Sequence, residues 1–198
     1  MTLFQNFRVL LYILALAAIA SAPLTSRAQG GLSVPAPGGK LIPEKHLGAA
    51  TASYFAKDGH VTVQVRPLRV AGDERTGVVL IPSFIVRGRK VVEPRLVNPQ
   101  FIVDSPARAR PPLSRVQIFA DGQELAAGVP RLLTTSKPSG GTVTRVLMYN
   151  VPYGKFLRMI EGREVRISLG HARLDLTGDH LAAMRDLRRM ILEGVSFP

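Results

Sequence analysis

The sequence of 198 residues contains no cysteine and no tryptophan. Without cysteine there is no disulfide scaffold, no thiol nucleophile, no cysteine-ligated zinc site and no lipid anchor on cysteine. Aromatic residues make up only 6% of the chain, and 14 acidic residues face 26 basic ones, which gives a formal net charge of +12. Hydrophobic residues at 46% and charged residues at 20% are ordinary for a globular protein, so wholesale disorder is excluded.

A long hydrophobic run is also missing, although a short one lies near the N-terminus. Val9–Ala22 is a stretch of fourteen residues without a charge, and Arg8 precedes it. A membrane-spanning helix takes about 20 apolar residues, whereas this length is typical of the core of a signal peptide. Small residues at Ser26 and Ala28 predict cleavage after Ala28. The alternative is an uncleaved anchor.

The rest of the chain is predicted to be a tether followed by one domain. Gln29–Pro43 contains four glycines and three prolines, a composition typical of a linker. We therefore expect a signal peptide over residues 1–28, a tether over 29–47 and a single domain over 48–198. Without residues 1–28 the chain keeps 24 basic and 14 acidic residues, a net charge of +10, and has no further run of membrane-spanning length. The expected location is periplasmic or secreted.

Alternation of apolar and polar residues predicts several antiparallel strands. His60–Arg66 alternates valine with polar side chains, which is the pattern of a half-buried strand. Gly77–Val86 is almost entirely apolar but contains Pro82, which has no amide hydrogen to donate, so we expect an edge strand or a strand broken at Pro82. Asp121-Gly122 predicts a hairpin, because both central positions of the favoured two-residue turn need a positive φ.

Two segments instead follow a helical period. A short helix is predicted between Pro152 and Ile160, where apolar residues recur three to four apart. Thr177 is a good N-cap for a C-terminal helix that should end at Gly194. The apolar stripe expected to be buried in that helix comprises Leu181, Met184, Leu187 and Ile191. Seven or eight strands with these two helices predict a mainly-β fold, an antiparallel β-sandwich, with a small barrel as the alternative.

The segment Tyr149–Ile191 has a distinctive order of short motifs. They are Phe156-Leu157 in the short helix, Val165 and Leu169-Gly170 in a strand, Leu176-Thr177 before the last helix, and Arg185, Asp186 and Leu187 within it. Together with the Asp-Gly turn in Phe119–Gly122, this order resembles a group of exported bacterial proteins of uncharacterised activity. The resemblance implies export and a β-rich fold, and it implies no activity.

No motif for a nucleophile elbow, a phosphate loop, a zincin helix or an EF-hand is present in the sequence. We therefore predict no catalytic residue, no cofactor and no metal. The histidines share no metal-ligand spacing and are interpreted as surface residues; they are His46, His60, His171 and His180. The alternative is an envelope hydrolase assembled only in the fold, for which Ser168, His171 and Asp175 are the nearest candidates, although we expect Ser168 and Asp175 on an outward face.

The basic residues give the leading hypothesis. Arginine outnumbers lysine by 20 to 6. One cluster surrounds a predicted turn and comprises Arg87, Arg89, Lys90 and Arg95, and a second comprises Arg108, Arg110 and Arg115. Guanidinium groups match phosphate and carboxylate groups bidentately, so the first cluster is the candidate site for an anionic envelope polymer or an envelope protein. Nucleic acid is not the expected partner, because aromatic residues do not interleave the clusters. Dispersal of arginine by base composition is the competing interpretation.

Overall fold

The computed structural model describes residues 43–72, 77–106, 115–136 and 141–198. The predicted signal peptide, its cleavage position and most of the tether lie outside these residues. The strands are Glu44–Leu47 (β1), Ala50–Phe55 (β2), His60–Val65 (β3), Leu68–Gly72 (β4), Gly77–Ile81 (β5), Ser83–Arg87 (β6), Leu96–Val97 (β7), Gln100–Pro106 (β8), Val116–Ala120 (β9), Gln123–Gly128 (β10), Arg131–Thr135 (β11), Thr142–Met148 (β12), Val151–Pro152 (β13), Val165–Leu169 (β14) and Ala172–Leu176 (β15). The helices are Tyr153–Glu161 (α1) and Gly178–Leu192 (α2).

The strands form three larger antiparallel sheets and one small pair. The first sheet has the order β1-β2-β3-β6, the second β11-β12-β8-β5-β4 and the third β10-β9-β14-β15, while β13 pairs with β7. Side chains from these sheets and from both helices join in one buried hydrophobic cluster, as expected for layers packed about a common core. Across the described residues no sheet closes into a barrel. The prediction of a mainly-β, antiparallel fold with one short and one C-terminal helix is confirmed.

One stretch of chain, interrupted at Pro82, contributes a strand to each of the first two sheets. Strand β3 pairs with β6 in the first sheet, and β4 pairs with β5 in the second. Only Pro82 separates β5 from β6, and its carbonyl accepts the Val65 N–H at 2.9 Å. A residue without an amide hydrogen cannot complete a central ladder, so the strand changes sheet there, and the predicted break at Pro82 is confirmed.

The third sheet contains the predicted Asp-Gly hairpin. Asp121 and Gly122 have φ values of 50° and 78°, and they connect β9 to β10. The Asp121 carboxylate accepts the backbone N–H groups of Arg163 and Glu164, each at 2.9 Å through Oδ1. This hairpin is therefore joined to the segment that leads into β14.

Helix α2 packs against β1, β2 and β3, and α1 packs against β9, β10 and α2. The predicted N-cap is confirmed, because the Thr177 hydroxyl accepts the His180 N–H while His180 Nδ1 accepts the Thr177 N–H. One member of the predicted stripe is wrong. Met190 is fully buried and Ile191 only half-buried, because the buried face is centred on Leu187 and turns toward position 190.

The boundary predicted between tether and domain is also wrong. Glu44–Leu47, assigned to the tether, forms β1 and pairs along its length with β2. Its first three residues are exposed. An edge strand of this kind has no apolar alternation to reveal it in the sequence. The folded part therefore already includes Glu44–Leu47, so it does not begin at residue 48.

Candidate anion-binding surface

The first basic cluster follows the end of β6. Arg87 is the last residue of that strand, and Gly88 reverses the chain with a φ of 91°. The Gly88 N–H bonds to the Gly59 carbonyl at 2.8 Å, which fixes the turn beside the β2–β3 connection. The four predicted residues are all exposed, and they are Arg87, Arg89, Lys90 and Arg95.

Arg89 and Lys90 lie against the segment that follows α2. The Phe197 N–H donates to the Arg89 carbonyl at 2.8 Å, and Lys90 forms an antiparallel bridge with Ser196. The Lys90 side chain also passes close to Gly194, where an added Cβ would come within 3.2 Å of the lysine Cε. Segments 89–91 and 195–197 thus form a short two-stranded rim.

An aromatic pair anchors this rim and carries two cations. The Tyr54 and Phe197 rings stack with 5.8 Å between centroids. The Arg89 guanidinium lies 5.6 Å from the Tyr54 centroid, and Lys45 Nζ lies 5.6 Å from the Phe197 centroid. Both rings are more than nine-tenths buried. Each ring therefore lies beneath the surface and contacts one cation on its outer side. We call Lys45, Arg89 and Lys90 the basic rim.

The structure divides the predicted cluster. Arg87 is the register partner of His60 across the first sheet, whereas Val86 and Tyr54 point into the core. Because side chains alternate along a strand, Arg87 lies on the face of the sheet opposite to Tyr54 and its partner Arg89. Arg95 lies farther along, where its carbonyl accepts the N–H of Tyr153 at the start of α1. Arg89 lies over Tyr54, and Lys90 is on the same rim with its side chain beside Gly194. No contact of Arg87 or Arg95 with the aromatic pair is seen among the described residues.

Lys45 is the member that sequence reasoning missed. It lies in β1, which has no apolar alternation, and its contact with Phe197 spans nearly the whole domain. No local signal in the sequence could have identified it. The second predicted cluster is described only at Arg115, an exposed residue whose carbonyl accepts the Gly170 N–H; Arg108 and Arg110 lie outside the described residues.

Among the described residues, the basic rim has no carboxylate partner. The ion pairs seen between described residues involve other cations, among them His46, Arg166, Arg173, Arg188 and Arg189. Lys45, Arg89 and Lys90 therefore present positive charge that no acidic side chain of the described domain neutralises. Three such charges around one rim make a surface that attracts anions.

The hydrolase candidates are not assembled. Ser168 is the register partner of Arg173 on the outward face of the third sheet, as predicted, and Asp175 is held there by Arg166 and Arg173. His171 is exposed in the β14–β15 turn, and within the described ranges it forms no hydrogen bond with Ser168 or Asp175. A nucleophile and base in contact, which a hydrolytic relay needs, are not seen in this arrangement.

The histidines lie in separate environments. His46 contacts Thr51 and Glu44, His60 stacks on Phe55 with 5.1 Å between centroids, and His180 belongs to the cap of α2. In the part of the chain that the structure describes, no three histidine or carboxylate side chains are grouped as a metal site would require. In the same part, neither helix is long and apolar enough to cross a membrane.

Comparison with protein families, with curated proteins and with solved structures finds no match for the chain.

Proposed function

We propose that the protein is an exported, non-catalytic binding module whose basic rim holds an anionic component of the bacterial envelope. The observation that carries the proposal is the unneutralised charge of Lys45 and Arg89 over the Tyr54–Phe197 pair. Lys90 adds a third exposed charge to the same rim, next to Gly194. Arginine and lysine in such a setting bind phosphate or carboxylate groups through charge-assisted hydrogen bonds.

The aromatic pair favours binding by ordering the cations beforehand. A cation over a ring at an exposed site gains about 0.5–1 kcal/mol, which favours the rotamers that keep it over the ring. A guanidinium or ammonium group whose rotamers are already biased in this way loses less entropy when it binds an anion. The ring stack therefore supports a defined anion site rather than a diffuse positive surface.

The same geometry favours an envelope polymer, such as the phosphates of lipopolysaccharide, over a nucleic acid. Single-stranded nucleic acids are held by bases stacked on open aromatic faces. Tyr54 and Phe197 are buried against each other and capped by Arg89 and Lys45, so neither offers a face to a base. The hydrolase alternative has less support, because Ser168, His171 and Asp175 are not in contact as a relay.

Export is the other part of the proposal, and it rests on the uncharged run Val9–Ala22 and the small residues before Gln29. Mass spectrometry of the protein recovered from the periplasm or medium tests it. We expect a chain that begins at Gln29. Recovery only from the cytoplasm with Met1 intact would contradict export.

Binding is tested by chromatography of the purified protein on heparin and on immobilised lipopolysaccharide. The triple variant Lys45→Gln, Arg89→Gln, Lys90→Gln should elute at clearly lower salt than the parent. The matched control is Lys57→Gln, Arg131→Gln, Lys155→Gln, which also removes two lysines and one arginine, but from exposed positions elsewhere. The control should elute close to the parent, whereas equal shifts in both variants would mean that net charge alone governs retention.

A further inference from the structure

A groove on the outward face of the third sheet carries a second, independent set of arginines. It encloses about 520 Å³, a volume within the usual range of small-ligand sites. Arg163, Arg166 and Arg173 line it together with Phe119, Glu164 and Asp175. We call it the arginine groove.

Strand register places these side chains side by side. Arg166 of β14 is the partner of Phe119 on β9 and of Asp175 on β15. The alternate residues of the same strands, Ile118, Ile167 and Leu174, are buried in the core. Successive side chains of a strand point to opposite faces, so the row Phe119–Arg166–Asp175 faces outward.

The Asp175 carboxylate accepts hydrogen bonds from two guanidinium groups, in each case from the Nε atom. The distances are 3.2 Å from Arg166 and 3.0 Å from Arg173. The hydrogen bond from Arg173 holds the pKa of the Asp175 carboxyl below its ordinary value, so the carboxylate is ionised at neutral pH. The terminal Nη groups of both arginines have no hydrogen-bond partner within the described residues. Each arginine is therefore oriented and still has donors to offer.

The other end of the groove is held by the Asp-Gly hairpin. Because Asp121 accepts the backbone N–H groups of Arg163 and Glu164, the main chain that carries the third arginine is fixed. The Arg163 guanidinium forms no hydrogen bond or ion pair in the described part of the chain, and Glu164 offers acceptor oxygens beside it. Phe119 adds a half-buried aromatic ring.

We propose that the arginine groove binds a saccharide that carries one carboxylate or phosphate group. The free Nη donors match such a group, and Glu164 can accept hydrogen bonds from sugar hydroxyls. The aromatic ring offers an apolar surface to the C–H face of a sugar ring. Three arginines and two acids leave a lining charge of +1. That small excess suits a ligand with one anionic group, whereas the basic rim has no acid to offset its charge.

Titration of the full protein, followed by calorimetry or by amide chemical shifts, tests the proposal. The probes are glucuronate, glucose 6-phosphate, glucose and inorganic phosphate. We expect at least one acidic sugar to bind more tightly than both glucose and inorganic phosphate, and the comparison of glucuronate with glucose 6-phosphate identifies the anionic group. Equal binding of all the anions, or no binding at millimolar concentrations, would overturn the proposal.

Three variants locate the site. Arg166→Gln with Arg173→Gln should weaken acidic-sugar binding at least about tenfold, the effect of losing one charge-assisted hydrogen bond. Arg66→Gln with Arg131→Gln removes two exposed arginines elsewhere and should leave binding unchanged. Phe119→Leu keeps an apolar side chain and should weaken sugar binding several-fold without changing phosphate binding. Equal losses in the two arginine pairs would refute the site.

The basic-rim variant separates this inference from the proposed function. Lys45→Gln, Arg89→Gln, Lys90→Gln should lose retention on lipopolysaccharide and keep acidic-sugar binding. Loss of sugar binding in that variant would overturn the groove, whereas unchanged retention would overturn only the rim.

Discussion

The Asp186 carboxylate of α2 accepts the backbone N–H of Ala49 at 2.8 Å, across 137 positions of sequence. Ala49 lies in the turn between β1 and β2, so this bond joins the C-terminal helix to the first hairpin. Gly48 makes the approach feasible. It has a φ of 58°, and an added Cβ would overlap the Asp186 carboxylate.

Gly48→Ala is expected to destabilise the domain for two reasons. An L-residue in the left-handed region costs about 1–2 kcal/mol. The new methyl group would also displace the Asp186 carboxylate from Ala49, and a hydrogen bond to a charged group contributes about 1.5–3 kcal/mol. The free energy of unfolding from a denaturant titration measures the total.

Gly59→Ala is the control for the first of these two effects. Gly59 has a φ of 62°, and no heavy atom lies within 4 Å of its added Cβ. Gly59→Ala should therefore be destabilised only by the cost of placing an L-residue in the left-handed backbone region. If Gly48→Ala and Gly59→Ala were destabilised equally, the Asp186–Ala49 bond would contribute nothing measurable.

Leu187→Asp should unfold the domain or sharply lower its melting temperature. Leu187 is completely buried on the inner face of α2, and an unpaired carboxylate there would be far more costly than the lost apolar contact. Leu192→Asp on the same helix is the control, since that side chain is 72% exposed. Far-UV circular dichroism and thermal melting should separate the two, and similar melting would contradict the placement of the buried stripe.

Asp121→Asn should change how stability depends on pH. Backbone N–H groups of Glu164 and Arg163 hold the pKa of the Asp121 carboxyl below its ordinary value of 3.8. A lowered pKa in the folded state means that the ionised carboxylate stabilises the fold above pH 3.8 and that this contribution is lost as the pH falls through the lowered pKa.

Asparagine suits the left-handed backbone of this turn, so the variant removes the charge with little change in φ preference. We expect it to be less stable than the parent at pH 7 and to approach the parent's stability in acid below pH 3.8. Urea titrations at several pH values measure the difference. A gap that stayed constant with pH would show that the carboxylate's charge does not stabilise the hairpin.

Features with a local cause could be predicted from the sequence. Valine alternation in β3, the missing amide hydrogen of Pro82, the Asp-Gly turn and the Thr177 cap each depend on a few neighbouring residues. Strand β1 escaped prediction because its pairing with β2 comes from backbone hydrogen bonds and not from an apolar face. Which strands share a sheet depends on long-range register that no local pattern contains.

The candidate sites also combine features with a local cause and features that depend on long-range pairing. Arg89 and Lys90 are neighbours in sequence and stay neighbours in the fold. Lys45 joins them only because the segment after α2 returns to residues 89–91. In the arginine groove, outward alternation of Asp175 could be predicted, but its contact with both Arg166 and Arg173 needs the β14–β15 register.

The break at Pro82 has a consequence for the dynamics of the domain. Strands β5 and β6 are one continuous stretch that belongs to two sheets, and the Pro82 carbonyl bonds to β3. Opening either sheet therefore displaces a strand of the other sheet. We expect the amide hydrogens of the two sheets to exchange with solvent as one cooperative unit. Protection factors of the Val63 and Val79 amides should accordingly fall together under mild denaturation.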